Sequence, residues 1–449
     1  MVITRFAPSP TGRLHAGNLR LALLNFLYSL QHQGKFILRI DDTDQERSCL
    51  QHEHAIYQDL QWLGLRWDLS FRQSSRDALY QKAVQNLKDQ GLLYPCYETL
   101  QELEEKRQQQ LAKGLPPIYD RSALNQDSTA GPLSGRKPYW RFLLTHQEET
   151  WDDLVQGPCH YHTQHLSDPV LVRQDGSLSY LLCSVVDDQD PAHPISHVIR
   201  GADHITNTAI QRQLFAALKR PCPVFGHVSL VSDASGHKLS KRQGSTCAAD
   251  LQGEGFLPLA VAKVLAELGT SKTTKNTFCL QDLARDLDFS AFGLAQPRLD
   301  SCLFAQASGK LFAKMTAQDV KAFFPSINEA FWPLIQGEIH SLKEIQSWHS
   351  VIDPSWQGPK ANPEDQDYLR WAGTLLKENF PDLNVCESME LSQWKNWLKE
   401  LKQQRQGPEL FRPLRQSLTA KDHGPPLPEL LAFLGKEVVQ QRLKAAVQD

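Results

Sequence analysis

The chain has 449 residues, more than one ordinary domain holds, so two to four domains are expected; 41% apolar and 22% charged residues describe an ordinary soluble protein with cores to bury. A net charge of −3 gives no global basic field, so any nucleic-acid contact must come from local Lys/Arg patches. No apolar run approaches the ~20 residues needed to span a bilayer, and nine cysteines, an odd number scattered singly, point to reduced thiols in a cytoplasm.

The first apolar run, Val2-Ile3-Thr4-Arg5-Phe6, reads as a strand that leaves no room for a leader peptide. Leu19, Leu23, Phe26, Leu27 and Leu30 then recur at helical spacing, and Gly34 supplies a stop. Lys35-Phe36-Ile37-Leu38-Arg39-Ile40 reads as a second buried strand. The unit is strand, Pro/Gly turn, helix, strand, a right-handed crossover that opens a parallel sheet. Such a turn aims backbone N–H groups and a helix N-terminus at one spot above the strand ends, an arrangement suited to a phosphate. Gly12 and Gly17 clear side chains from that spot, and His15 arrives there with two ring nitrogens.

Residues 53–63 are helical in period with Ile56, Leu60 and Leu63 on one face, and Trp62 is expected in the core. Another helix is expected over 77–88. Composition changes after Tyr94: residues 100–113 form a Gln/Glu/Lys-rich helix and 122–137 an exposed loop. Strand-like segments follow at 139–144 and 169–173. Together these make a small α/β insertion splitting the nucleotide fold over residues 95–180. In Cys159-His160-Tyr161-His162-Thr163-Gln164-His165 the alternation puts His160 and His162 on one face and Cys159 on the other. That pattern gives hairpin residues rather than a four-ligand metal site.

The nucleotide fold is expected to resume with Leu178–Asp188, then a strand at 197–200, a helix at 208–218 and a strand at 226–232 leading into Lys238-Leu239-Ser240-Lys241-Arg242. Arg5 and Arg200 end strands at the carboxyl edge of the sheet, where ligands of open α/β folds bind, and Asp41 ends another. Short helices with turns occupy 253–314. Beyond them the pattern is helical at 317–324, 341–349, 364–379, 390–404, 409–418 and 428–446. Trp332, Trp348, Trp371, Trp394 and Trp397 read as core residues there. Arg405, Arg412, Arg415, Lys436, Arg442 and Lys444 are candidates for phosphate contact or for a solvated face.

The early His15-Ala16-Gly17-Asn18 and the late Lys238–Arg242 form a two-part signature that resembles the class I aminoacyl-tRNA synthetases. The wording Arg5-Phe6-Ala7-Pro8-Ser9-Pro10-Thr11-Gly12, then Arg39-Ile40-Asp41-Asp42-Thr43-Asp44, is similar to the glutamyl branch of that family. The resemblance runs from the first residues to about residue 314 and more loosely to the C-terminus. It implies an α/β fold: a Rossmann-type catalytic domain with an α/β acceptor-binding insertion and an all-α anticodon-binding region. The expected boundaries are 1–94 and 181–252 for the two catalytic halves, 95–180 for the insertion, 253–314 for a helical stem-contact region and 315–449 for the anticodon-binding region.

The chemistry implied is joining of L-glutamate to the α-phosphate of ATP, expulsion of pyrophosphate, and transfer of the acyl group to tRNA(Glu), tRNA(Gln) or both. An in-line displacement of this kind needs cations and donors around the phosphates. The resemblance assigns His15, Lys238 and Lys241 to catalysis. ATP contacts are expected from Pro8, Gly12, His15, Gly17, Asn18, Lys238, Ser240, Lys241 and Arg242. Glutamate carries two carboxylates and an ammonium, so its pocket needs a fixed guanidinium and an acid. Arg5, Arg200 and Asp41 meet that need, and Ala7, Ser9, Tyr180 and Ser184 are expected to line the pocket. Three positions depart from the family's usual pattern: Asn18 replaces a second histidine, Asp41 a longer acid and Ser184 an amide. Magnesium is expected to arrive with ATP. Cys96 lacks the partners of the family's zinc cluster, so no zinc is expected, and the chain is expected to act as a monomer.

Overall fold

The computed structural model describes residues 1–44, 46–125, 135–233, 235–237, 246–379 and 389–447. The loop Lys238, Ser240, Lys241 and Arg242 lies outside the described residues. The chain divides into two compact units, one of residues 1–250 and 262–300, the other of 251–261 and 301–449.

In the first unit, strand β1 (Ile3–Phe6), helix α1 (Ala16–Gln31) and strand β2 (Lys35–Ile40) form the expected crossover, with β1 and β2 parallel. Leu19, Leu23 and Leu27 are wholly buried, each contributing about 1.5–3 kcal/mol. The return into β2 needs Gly34, because a Cβ there would meet the Val2 carbonyl oxygen at 2.1 Å. Helix α2 (Leu50–Trp62) buries Ile56, Leu60 and the adjoining Leu63. Trp62, expected in the core, is half-buried; the ring is carried just past the apolar stripe, at the last position of the helix. Strand β3 (Leu69–Arg72), which the sequence reading passed over, pairs parallel to β2.

Helix α3 (Asp77–Asp89) leads to β4 (Leu93–Cys96), the exposed helix α4 (Leu100–Ala112) with its Thr99/Glu102 capping box, and β5 (Tyr139–Phe142). Strands β6 (Glu148–Asp153) and β7 (Gly157–His162) form an antiparallel hairpin, and β8 (Val170–Val172) pairs with β5. As the alternation required, His160 and His162 face outward and Cys159 is buried. Helix α5 (Tyr180–Asp188), strand β9 (His197–Gly201), helix α6 (Ile205–Ala217) and strand β10 (Val224–Val228) complete the sheet. Strand β9 pairs parallel to β10, and the Ser196 N–H donates to the Ile3 carbonyl at 3.0 Å, which sets β9 beside β1. The strand order is therefore β3-β2-β1-β9-β10, and the order reverses between β1 and β9.

The short strand β11 (Ser232–Asp233) pairs with β12 (Arg298–Leu299), and α7 (Ala248–Gly253), α8 (Pro258–Glu267) and α9 (Leu280–Asp286) lie between them in the chain. The second unit is helical: α10 (Cys302–Phe312), α11 (Ala317–Lys321), α12 (Trp332–Ile335), α13 (Leu342–Ile352), α14 (Pro363–Asn379), α15 (Leu391–Leu401), α16 (Pro408–Thr419), α17 (Leu427–Leu434) and α18 (Lys436–Val447). The single helix expected over 428–446 is two helices, interrupted at Gly435, whose φ of +80° ends α17. Trp332, Trp348, Trp394 and Trp397 are buried in the core, while Trp371 packs at its edge. Arg442 is not a surface cation: it is buried and donates to the carbonyls of Leu418 (2.8 Å), Val351 (2.7 Å) and Asp353 (3.0 Å). Among the described residues, no helix is long and apolar enough to cross a membrane.

Candidate active site

The reversal between β1 and β9 opens a cleft of about 430 Å³ at the carboxyl ends of the strands, where ligands of open α/β sheets bind. Arg5, Ala7, Pro8 and Ser9 line it from β1 and the turn, His15, Gly17 and Asn18 from the start of α1, and Tyr180 and Arg200 from the far side. Sequence reasoning had placed all nine at the site.

His15 is the N-cap of α1. Its Nδ1 accepts the backbone N–H groups of Gly17 (3.1 Å) and Asn18 (3.3 Å). A ring nitrogen that accepts is unprotonated, so a neutral His15 carries its proton on Nε2. One imidazole thereby closes the helix end through Nδ1 and carries its N–H on Nε2. Gly17 leaves room for the ring: a Cβ there would stand 3.0 Å from His15 Cε1. The chain emerging from residues 238–245 is tied to the same place. The Ala16 N–H donates to the Thr246 carbonyl at 3.0 Å, the Ala248 N–H to the Leu14 carbonyl at 3.3 Å, and Cys247 bridges His15. On the other flank, the Gly236 N–H closes a turn on the Asp233 carbonyl at 3.0 Å.

The two arginines of the cleft differ in how they are compensated. Arg5 Nε donates to Asp188 at 3.2 Å, and Asp188 also accepts from the wholly buried Arg39 at 2.8 Å. Arg39 grips Asp41 through two bonds of 2.6 and 3.1 Å. Asp187, 3.6 Å from Arg39, also accepts from Arg76 (2.7 Å), Gln73 (2.7 Å) and Tyr80 (3.0 Å). Burial opposes the Arg39 charge, but Asp41, Asp188 and Asp187 together hold its pKa well above the ordinary value. Burial pushes the Asp41 carboxyl up to about 6, against the pull of Arg39.

Arg200 forms no ion pair among the described residues. It is 6% exposed, and its donors meet neutral acceptors: His227 Nε2 (3.2 Å), Thr208 Oγ1 (2.7 Å), the His204 carbonyl (3.4 Å) and, more distantly, Tyr180 Oη (3.5 Å). Burial lowers its pKa, and no carboxylate among the described residues pairs with it to offset that.

Two expected pocket residues do not reach the cleft. Asp41 is 5% exposed and spent on Arg39, and Ser184 is wholly buried on the inner face of α5, 3.4 Å from Arg39 Nη2. Gly12 lies in the turn but does not line the cleft, whereas Thr11 does. Sequence reasoning missed Arg39, Asp187, Asp188, Thr208 and His227. For Arg39 and His227 the signal was a charge or imidazole inside a strand otherwise apolar, as in Phe36–Ile40 and Phe225–Val228, since a buried charge demands a partner. No group of three or more His, Cys, Asp or Glu among the described residues is placed to hold a metal ion. Cys96 is buried, and the Tyr119 hydroxyl meets its sulfur at 3.5 Å and donates to Glu98 at 2.8 Å.

The chain is a class I tRNA synthetase: residues 1–290 match the model of the tRNA synthetases class I (E and Q) catalytic domain, and residues 295–447 match that of an anticodon binding domain. Glutamate–tRNA ligase 1 of Rhodospirillum rubrum is 42% identical over 99% of this chain and 98% of its own, and glutamate–tRNA ligase 2 of Hyphomonas neptunium 41% identical over 98% and 99%. The crystal structure of a glutamate tRNA ligase from Elizabethkingia meningosepticum in complex with its amino acid covers 99% of both chains at 25% identity, with a TM-score of 0.83. The chain belongs to the glutamate–tRNA ligase family.

Proposed function

We infer that the chain uses ATP to activate L-glutamate and passes the glutamyl group to the terminal ribose of tRNA(Glu), tRNA(Gln) or both. The observation that carries this reading is the pairing of His15 Nε2–H at a helix N-terminus with an uncompensated Arg200 across one cleft. The helix N-terminus and His15 suit the α-phosphate, because its oxygens gain charge as the carboxylate attacks. Lys238 and Lys241 are proposed to meet the departing pyrophosphate; the loop that bears them ends at Thr246 and Cys247, beside His15. Magnesium is proposed to travel on the phosphates of ATP, with no dedicated ligand set from the described residues.

Arg200 is proposed to hold one carboxylate of glutamate and Arg5 the other, with Tyr180 and Ser9 adding hydrogen bonds. Asp41 acts behind Arg39 rather than on the ammonium group. The expected insertion over 95–180 and the helical regions over 253–314 and 315–449 are proposed to bind the acceptor end, stem and anticodon of the tRNA. A cytoplasmic monomer is proposed. Pyrophosphate exchange driven by glutamate, with and without added tRNA, tests the activation step. Exchange driven equally by aspartate or glutamine would reject the pocket assigned.

A further inference from the structure

Arg200 is oriented from behind by a wholly buried pair, His227 and Asp153. His227 Nδ1 lies 2.5 Å from Asp153 Oδ2, and both side chains are inaccessible to solvent. An ionised Asp153 only accepts and Arg200 Nε only donates, so His227 carries its proton on Nδ1 and presents the Nε2 lone pair to Arg200 at 3.2 Å. Thr208 closes the ring, accepting from Arg200 Nη2 at 2.7 Å and standing 2.9 Å from the same Nε2. Asp153 is itself fixed: its Oδ1 accepts the backbone N–H groups of Val155 (3.0 Å), Gln156 (3.0 Å) and His227 (2.9 Å). Asp153 ends β6, so the hairpin of the insertion supplies the outermost member of the chain.

We propose that Asp153 and His227 are positioning residues for the carboxylate grip of Arg200, holding the guanidinium in place without neutralising it. A carboxylate in the position of His227 would orient Arg200 equally well but cancel its charge. A neutral imidazole gives direction alone, and Asp153 acts by fixing which nitrogen is bare. This keeps one full positive charge in the cleft for an acidic side chain and against its uncharged amide. The inference rests on the reading of Arg200 as a carboxylate-binding residue.

The test is tRNA-supported pyrophosphate exchange by the full chain, with glutamate and ATP varied separately. His227→Phe removes the acceptor and is expected to raise the glutamate KM by about tenfold or more, in line with an unmet hydrogen bond at a buried charge, with the ATP KM unmoved. His227→Gln restores an acceptor and should recover most of that loss, which a purely structural role would not predict. His227→Glu should resemble His227→Phe, because it pairs with Arg200. Should His227→Phe fail to fold, Asp153→Asn gives the second route, since its carbonyl oxygen can keep the backbone bonds while the tautomer is released. Equal effects on glutamate and ATP, or no recovery in His227→Gln, would overturn the positioning pair alone. Absence of exchange by the unaltered protein would overturn the functional reading with it.

Discussion

Replacing Arg200 by Met removes the buried cation of the cleft while keeping most of its apolar stem. The fold should tolerate the change, because His227 Nε2 keeps Thr208 Oγ1 at 2.9 Å and Nδ1 keeps Asp153. What is lost is the grip on a carboxylate. Two hydrogen bonds to charged groups, each worth about 1.5–3 kcal/mol net of water, put the loss at about 3 kcal/mol at the lower end. That corresponds to roughly a hundredfold rise in the glutamate requirement. ATP should be affected by less than about threefold, since the phosphate side of the cleft is built by α1. Arg200→Lys should recover little, because one ammonium cannot meet His227, Thr208 and a carboxylate together. Pyrophosphate exchange with tRNA present, titrating each substrate in turn, measures both requirements. Equal increases for glutamate and ATP would refute the assignment and leave Arg200 as a structural residue.

The remaining predictions follow the same geometry. His15→Asn should keep the helix cap, since asparagine is a strong N-cap, yet lower adenylate formation by about 10²–10³ through loss of the Nε2 donor; His15→Ala should show the same rate loss plus about 1 kcal/mol of instability. An active His15→Asn enzyme would rule out the donor role. Lys241→Ala should cut adenylate formation by one to several powers of ten with little change in tRNA binding, measured by exchange and by filter binding. Asp59, 4% exposed and 3.9 Å from Arg13, has its pKa raised by burial to about 6. Its folded pKa lies above its unfolded value, so it costs stability above pH 6 and nothing below about pH 4. Asp59→Asn should therefore raise the melting temperature at pH 7–8, by an amount corresponding to about 1–3 kcal/mol, and lose the advantage near pH 4. Equal melting at both pH values would refute that linkage.

The crossover, the turn and nine residues of the cleft were legible because glycine, proline and apolar spacing are local signals, and the strand ends fix where ligands sit. Position on a strand does not reveal competition: Arg39, two residues before Asp41, takes both of its oxygens. Ser184 followed the family pattern onto a helix face that is wholly buried here. The partners of Arg200 were not legible because Asp153, Thr208 and His227 are scattered along the chain and meet only after the hairpin packs on β10, where the Leu154 N–H donates to the Phe225 carbonyl at 2.9 Å. Arg442 looked like a surface cation because its neighbours in sequence are polar, while its actual partners are three backbone carbonyls from distant segments. The break at Gly435 was a local signal, overlooked inside a strongly helical pattern.

The most direct measurement is acylation of purified tRNA(Glu) and tRNA(Gln) by the full chain with labelled glutamate. ATP-dependent label on the terminal ribose of at least one of the two, absent when glutamine replaces glutamate, is the predicted result. No label on either tRNA, or equal labelling from glutamine, would contradict the assignment of the cleft to an acidic amino acid.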